Sequence, residues 1–571
     1  MYIDVVPNRN SPPAVLLRES YREGAEVRKR TVANLSALPA KQIELLRRSL
    51  KGEEFYSFEQ LFQVVRNVPH GHVEAILGTM RKLSMQELVS SRPCPEQQLV
   101  LGMIAARLLF GASKLATVRL WHTTTLPEEL GVEDADEDDL YRALDWLLDR
   151  QGRIEKKLAG RHLAEGALVL YDVSSSYYEG RCCPLARFGH NRDGKKGRKI
   201  IVYGVITDAQ GRPVAVDVYE GNTGDPSTVT DQVEKLRKQF GLDRVVLVGD
   251  RGMLTEAQIE QLRRHRSLGW VSALRARQIR QLAEGGTIQM SLFDEQNLAE
   301  IQTAQYPGER LVVCYNPLLA QERTRKREDL LVATEKELEK VVQQVARRTK
   351  TPMDKAAIGL KVGRVLHRYK MGKHYRLSIR EGAFSYQRRP ETIEREQQLD
   401  GIYVIRTSEP SKRMSSQEVV RTYKGLADVE RAFRCLKGLD VRIRPIRHWN
   451  EKRVRAHIFL CLLAYYVEWH MRKALAPLLF EDEQREQLRK RRDPVAMAKP
   501  SASAQRKKQQ KTTSDGFPVH SFETMLALLG TRCRNYCRAR ALKSGSTFRT
   551  ETELTDHQRR ALELLDVYPV R

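Results

Sequence analysis

ALVLYDVSSSYY, residues 167–178, is where the texture of the chain changes: an apolar, β-branched and aromatic run that turns into a polar cluster, as a strand does at the edge of a core. KIIVYGVITD (199–208) and RPVAVDVYEG (212–221) are two further runs of this kind, joined through Ala209-Gln210-Gly211. A short turn containing glycine makes them a hairpin. Pro226 to Phe240 reads as a helix with proline at its start. RVVLVGDRGM (244–253) is a fourth strand, Thr255–His265 a helix and GWVSALRA (269–276) a fifth strand. The order β-β-β-α-β-α-β, a hairpin followed by crossovers, specifies a mixed sheet with helices on both faces.

That order is the one found in the ribonuclease-H-like fold, so the expected class is α/β and multi-domain. Working outward, residues 1–163 form an N-terminal region that is mostly helical and a candidate DNA-binding part. Within it, Glu26–Ser36 is strand-like, and Lys41–Leu50, Phe58–Val65, Gly71–Leu83, Pro95–Leu109 and Asp138–Ala159 are candidate helices. The stretch from Phe58 to Leu83 is either a helix-turn-helix or a pair of helices that merely pack. Residues 164–276 are the first part of the sheet domain and 277–410 an insertion with strands at 309–315, 374–379 and 401–407. Residues 411–480 complete the sheet domain with helices at 415–437 and 450–474. Residues 481–571 are a basic, low-complexity linker, read as a flexible arm, followed by a short helical segment at Ser521–Arg540.

The chain of 571 residues carries 98 Lys+Arg against 72 Asp+Glu, net +26. Such a surplus points to a polyanion partner, most often nucleic acid. Eight cysteines in this length do not make a disulfide framework. Ile458–Trp469, the longest apolar run, is too short for a membrane helix and contains Glu468. A cytoplasmic, nucleoid-associated protein without membrane partners is expected.

Asp172 and Asp250 each stand where an apolar run turns polar, on strands that neighbour one another in a sheet of this order. Two carboxylates so placed can hold hard divalent cations. SSQEVVRTYKGLADVERAFRCLKG, residues 415–438, supplies a third. Ser415 and Glu418 form a capping box, and Gly438 suits a helix end. Tyr423, Glu430 and Lys437 recur every seven residues, close enough to two turns to share a face, although Gly425 weakens the helix before Leu426. Three carboxylates are the equipment of a two-metal phosphoryl-transfer site, and Mg²⁺ suits it because it keeps waters and accepts phosphate oxygens.

These motifs together resemble the bacterial insertion-sequence transposases with an Asp-Asp-Glu triad, in the IS-four-like superfamily and its long-insertion branch. That group carries the signature Y-(2)-R-(3)-E-(6)-K. Tyr423, Glu430 and Lys437 match it, whereas Leu426 occupies the arginine slot, a phosphate contact that Lys424 or Arg421 would have to supply. YDVSSSYYE resembles the first-Asp strand, VLVGDRGM the second, and RPIRHWNEKRVRAHIFLCLLAYYV (444–467) the stretch after the Glu helix. The 179 residues between Asp250 and Glu430 are similar to the family's insertion. The resemblance implies Asp172, Asp250 and Glu430 as metal ligands and catalytic residues for two Mg²⁺ ions, with Mn²⁺ as a substitute. It implies end nicking, hairpin formation and strand transfer on double-stranded DNA (the element's terminal inverted repeats and the target) by a homodimer on DNA. Tyr423 and Lys437 would hold terminal phosphates, with Arg434 and Lys424 as further DNA contacts.

The loop GHNRDGKK (189–196) falls short of a nucleotide-binding loop, since Lys196 stands where a hydroxyl should and a strand follows; no nucleotide cofactor is expected. His190, Arg192, Lys195 and Lys196 make either a DNA-backbone loop or a solvated turn. Asn222 and Asp225 are either groups behind the metal ligands or a turn and helix cap. His448-Trp449 reads as a core pair rather than a base-stacking platform. The alternatives to a transposase are a metal-dependent DNA nuclease of the same fold and a catalytically silent, transposase-derived DNA-binding protein.

Overall fold

Four strands open the chain: β1 (Tyr2–Val6), β2 (Ala14–Glu23), β3 (Glu26–Asn34) and β4 (Phe62–Pro69). The computed structural model describes residues 1–9, 11–55, 62–265, 267–288, 293, 297–438, 441–539 and 547–567. They divide into one unit of residues 1–68 with 533–553 and a second of 69–532 with 554–571. In the first unit β1, β2 and β3 form an antiparallel sheet, followed by the helix Ala40–Leu50. The strand-like reading of Glu26–Ser36 corresponds to β3. The expected helix at Phe58–Val65 does not form where it is described: residues 62–69 are β4, while 58–61 lie outside the described residues. β-Branched Val64, Val65 and Val68 favour the extended state there, and among the described residues no helix-turn-helix spans this point.

The second unit carries a sheet of eight strands. They are β5 (Ala167–Tyr177), β6 (Ile200–Thr207), β7 (Pro213–Glu220), β8 (Val245–Val248), β9 (Leu268–Ala273), β10 (Leu298–Ile301), β11 (Arg310–Tyr315) and β14 (Ile402–Thr407), with the hairpin β12 (Tyr375–Arg380) and β13 (Ala383–Arg388) apart. The order is β10-β11-β14-β9-β8-β5-β6-β7. β5 pairs antiparallel with β6 and parallel with β8, and β8 pairs parallel with β9, so the sheet is mixed as expected. Three strands from the 277–410 stretch extend its far edge. That stretch also holds two long helices, Pro317–Ala346 and Lys355–Tyr369, the shorter helices Ala276–Glu284 and Pro390–Gln397, and the β12-β13 hairpin.

Residues 71–162 are helical, with Glu137–Leu148 and Gln151–His162 where one long helix is expected. Glu451–Leu475 is buried along most of its length and packs on β7 and on the helices Pro95–Leu109 and Glu137–Leu148. No single described helix is long and apolar enough to cross a membrane. The bent pair Pro95–Leu109 and Lys114–Trp121 has the length and composition, and the first of them is buried in the core.

The expected flexible arm is instead a docked strap. Arg485 and Arg489 donate to Asp428 at 2.5 and 2.9 Å, Arg489 to the Arg421 carbonyl at 3.0 Å, and Lys424 to the Val495 carbonyl at 3.1 Å. Val495 is buried, and so is Lys507, which donates to the Ala476 carbonyl and to Glu483. The basic residues that make the segment look disordered are consumed by specific carboxylates and carbonyls. After it, Phe522–Gly530 is a helix, but Cys533–Ala539, read as its continuation, is β15, which pairs in the first unit with β16 (Thr547–Glu551) and β4.

Where β11, β14 and the helix Glu256–Arg263 meet, Glu309 is fully buried between Arg406 and Arg263, each at 2.6 Å, and Arg406 also reaches Glu256. Removing one partner of a buried pair strands the other charge. Glu309→Ala is expected to destabilise the protein by about 3–5 kcal/mol, read as a lowered denaturant midpoint; a loss below about 1 kcal/mol, the scale of an exposed pair, would show the cluster to be solvated.

Candidate active site

β5 and β8 set the site. Leu170 lies opposite Val248 in their parallel register. Two residues further along each chain, Asp172 and Asp250 reach the same level, on strands that stand about 4.8 Å apart. Asp172 does not end its strand, as expected from the sequence; β5 runs on to Tyr177, and it is β8 that ends, two residues before Asp250. The polar half of β5 continues with Ser174, Ser175 and Ser176 all buried, Ser176 hydrogen-bonded to Tyr203 and Ser175 to the His190 carbonyl.

The helix Leu426–Lys437 covers this face. Leu170, Asp172 and Ser176 alternate onto one side of β5. On that side Leu170 touches Gly425, and Tyr203, the partner of Ser176, meets the ring of Phe433. The Ser415–Glu418 capping box forms as expected, and the chain divides at Gly425 into Ser416–Lys424 and Leu426–Lys437. Gly438 ends the second helix with extended rather than left-handed backbone. Its need for glycine is the Arg434 carbonyl, which a Cβ would meet at 2.7 Å. Glu430 and Arg434 lie on the exposed stripe of this helix.

Electrostatics tie the acids together. Burial pushes the Asp172 carboxyl up to about 7, and the negative charges of Asp250 and Asp225 push the same way, against Arg192. Tyr423 is pushed up to about 12, first by burial and then by Asp250, Glu430 and Asp172, with Arg251 opposing. One phenol therefore feels all three acids of the expected triad. Asp250 accepts from the amides of Gly252 and Met253, which fixes its carboxylate at the strand end. Among the described residues no three His, Cys, Asp or Glu side chains are drawn into a closed metal cage. The donor set fits a hard divalent cation in chemistry: carboxylate oxygens, one with its pKa raised first by burial and then by neighbouring acids whose charge a cation would neutralise.

The remaining expected residues divide sharply. Arg192 is paired with Asp225 beside Asp172, so both belong to the site. His190, Lys195, Lys196 and Asn222 are exposed on the adjoining loops. Lys437 is engaged within the protein: its ammonium lies 3.0 Å from Asp193, half-buried, and burial lowers its pKa while Asp193 opposes. Lys424 is spent on the strap carbonyls. Trp449, expected in the core, is 67% exposed, and its neighbour His448 is the one that packs, against His457 and Tyr141.

Asp193 is the residue that sequence reading missed. Its side chain is 1% exposed and accepts from Lys437, from Arg444 at 2.5 Å and from the Tyr177 amide at 2.9 Å, tying loop, strand and helix. The available signal was a lone acid in the basic run of residues 187–199.

Residues 181–467 match the family described as Transposase DDE domain, half of the chain. The chain belongs to the DDE-domain transposases. Asp250, Tyr423, Glu430 and Lys437 of this transposase lie within the matched span, and Asp172 lies just before it. Residues 3–60 match the N-terminal domain of IS1634 family transposases, within the first unit. No curated protein matches the transposase. Among solved structures it is similar to the piggyBac transposase synaptic complex with hairpin DNA, at 11% identity over 70% of this chain and 72% of that one, with a TM-score of 0.32; nothing about this chain is drawn from so distant a likeness.

Asp172 in this transposase makes stability depend on pH in a definite direction. Its native pKa, about 7, stands above the ordinary 3.8, so the native state binds the proton more tightly than the unfolded chain. Stability is then lost as pH rises from about 4 through 7. Asp172→Asn is expected to stabilise the metal-free protein by upward of about 2 kcal/mol at pH 8 and to change little at pH 4. Equal effects at both pH values in denaturant titrations would refute the shift.

Proposed function

We propose that this transposase excises and integrates an insertion sequence by Mg²⁺-dependent phosphoryl transfer at Asp172, Asp250 and Glu430, through end nicking, hairpin formation and strand transfer. The observation that carries the reading is the β5–β8 register, which supports two carboxylates side by side beneath the helix bearing the third. The β7-β6-β5-β8-β9 portion of the sheet supports a ribonuclease-H-like core, and the Y-E-K spacing supports the IS-four-like group. Residues 1–163 are the proposed end-binding part, 164–276 with 411–480 the catalytic domain and 277–410 the insertion; a cytoplasmic homodimer on double-stranded DNA is the proposed working form.

Asp172, Asp250 and Glu430 would hold two Mg²⁺ ions, with Mn²⁺ as a substitute. Bound there, the ions supply activation of a water or 3′-hydroxyl and charge neutralisation at the leaving oxygen. Asp172 gives up its proton to become a ligand. Arg192 balances Asp225 beside it and offers a guanidinium to a phosphate oxygen. Tyr423, its phenol kept protonated first by burial and then by the surrounding carboxylates, donates a hydrogen bond to the terminal phosphate. Lys437 reaches a phosphate by exchanging it for Asp193, while Arg434, His190, Lys195 and Lys196 hold the flanking backbone.

Asp172→Asn, Asp250→Asn and Glu430→Gln are each expected to lower cleavage of labelled element-end DNA by at least about a hundredfold, on the scale of losing a preorganised charge, with end binding retained. EDTA should abolish cleavage by the wild type. Hairpin products lost in Glu430→Gln support the full reading. Metal-dependent cutting without hairpins would favour a nuclease, and binding with no cleavage under any metal a silent DNA-binding protein.

A further inference from the structure

Beyond Asp250 the chain turns into a recess of about 550 Å³ between β9, β14 and the helices Ala276–Glu284 and Pro317–Ala346. Arg251, the residue after Asp250, and Tyr423 stand in its wall, so it opens from the carboxylate edge. Its charges do not balance. The two acids that line it are spent, Asp400 on Arg327 at 2.5 Å and Glu396 on Lys373 and His374 at 2.7 and 2.8 Å. Four cations, Arg251, Arg280, Arg323 and Lys326, are exposed and make no side-chain hydrogen bond or ion pair among the described residues. Elsewhere in this unit guanidiniums close to carboxylates are paired off, as Arg406, Arg310 and Arg388 are. The lining between the cations is apolar, with Leu274, Ile279, Leu330 and Ile402, and carries the half-buried rings of Tyr403 and Tyr423.

We propose that this recess binds a single, unpaired DNA strand leading from the Asp172–Asp250 edge, its phosphates on the four cations and its bases against the apolar and aromatic lining. The proposal rests on the transposase reading for the identity of the polymer. Unpaired cations around an apolar, aromatic floor are the combination that single strands need, since phosphates take the charges and bases stack on rings. A duplex, whose major groove alone is about 12 Å wide, is too broad for a recess of this size. Strand cleavage at the adjoining edge creates a free terminus, from which a strand can unpair into the recess.

The test uses the full chain, wild type and R280A/R323A/K326A, with fluorescence anisotropy on a blunt duplex and on the same duplex carrying a single-stranded tail, across a salt series. Arg251 is left intact because of its place beside Asp250. Each phosphate released from a cation on a single strand contributes about 0.7 to the slope of log affinity against log salt. The triple variant is therefore expected to lose about 2 from the slope on the tailed substrate and nothing on the blunt one, with R280K/R323K/K326R retaining the wild-type slope. An unchanged slope on the tailed DNA, or an equal loss on both substrates, overturns the proposal. The altered side chains are exposed, and an unchanged melting temperature verifies the fold. Absence of metal-dependent cleavage by the wild type would instead remove the transposase reading while leaving the tailed-against-blunt comparison standing as a binding result.

Discussion

Two carboxylates at one level on neighbouring parallel strands repel each other, and burial makes the repulsion expensive. Burial first, and then the charge of Asp250, raises the Asp172 carboxyl pKa, and the surroundings answer with countercharge: Arg192 on Asp225, Arg251 near Tyr423, and a +26 chain around them. Much of the second unit can be traced to maintaining that arrangement. The serines of β5 are buried so that the strand can run past its partner, and Asp193 stitches the basic loop to the strand end and to the helix above it.

The insertion is part of the same construction. β10, β11 and β14 prolong the sheet on the side of β9, and Glu309 with Arg406 and Arg263 locks the junction through buried charge. A pair of this kind gives little net stability against an apolar replacement, yet it punishes misregister, because a shifted strand would leave an ion unpaired in the core. The hairpin β12-β13 and its long helices stand apart on cores of their own, while their inner surface supplies one wall beside the carboxylate edge.

How much of this could be read from sequence follows the range of each signal. Alternation and apolar runs act locally, so β5 to β7 and the helices around Glu430 were legible to within a residue or two, whereas β8 and β9 stop five and three residues before their apolar-to-polar runs end. The capping box at Ser415 and the break at Gly425 were legible for the same reason. Asp172 and Asp250 were legible as a pair because strand order implies adjacency. The partners of Lys437 and Lys424 were not, since nothing in a run of basic residues says which will be buried against a distant carboxylate or carbonyl. Trp449 failed for a related reason: an aromatic before an apolar helix is core only if the helix phase turns it inward, and here His448 took that place. At β4 the local helical pattern lost to pairing with β15, more than 450 residues away in the chain.

The strap has a consequence in time. Asp428 and Lys424, which anchor the two halves of the Glu430 helix pair, take their partners from residues 485–495. During synthesis both aspartates and the glutamate emerge before the segment that fastens the glutamate's support. A nascent chain thus carries the three carboxylates ahead of the contacts that brace the helix pair, and the brace closes only once residues 485–495 have been made.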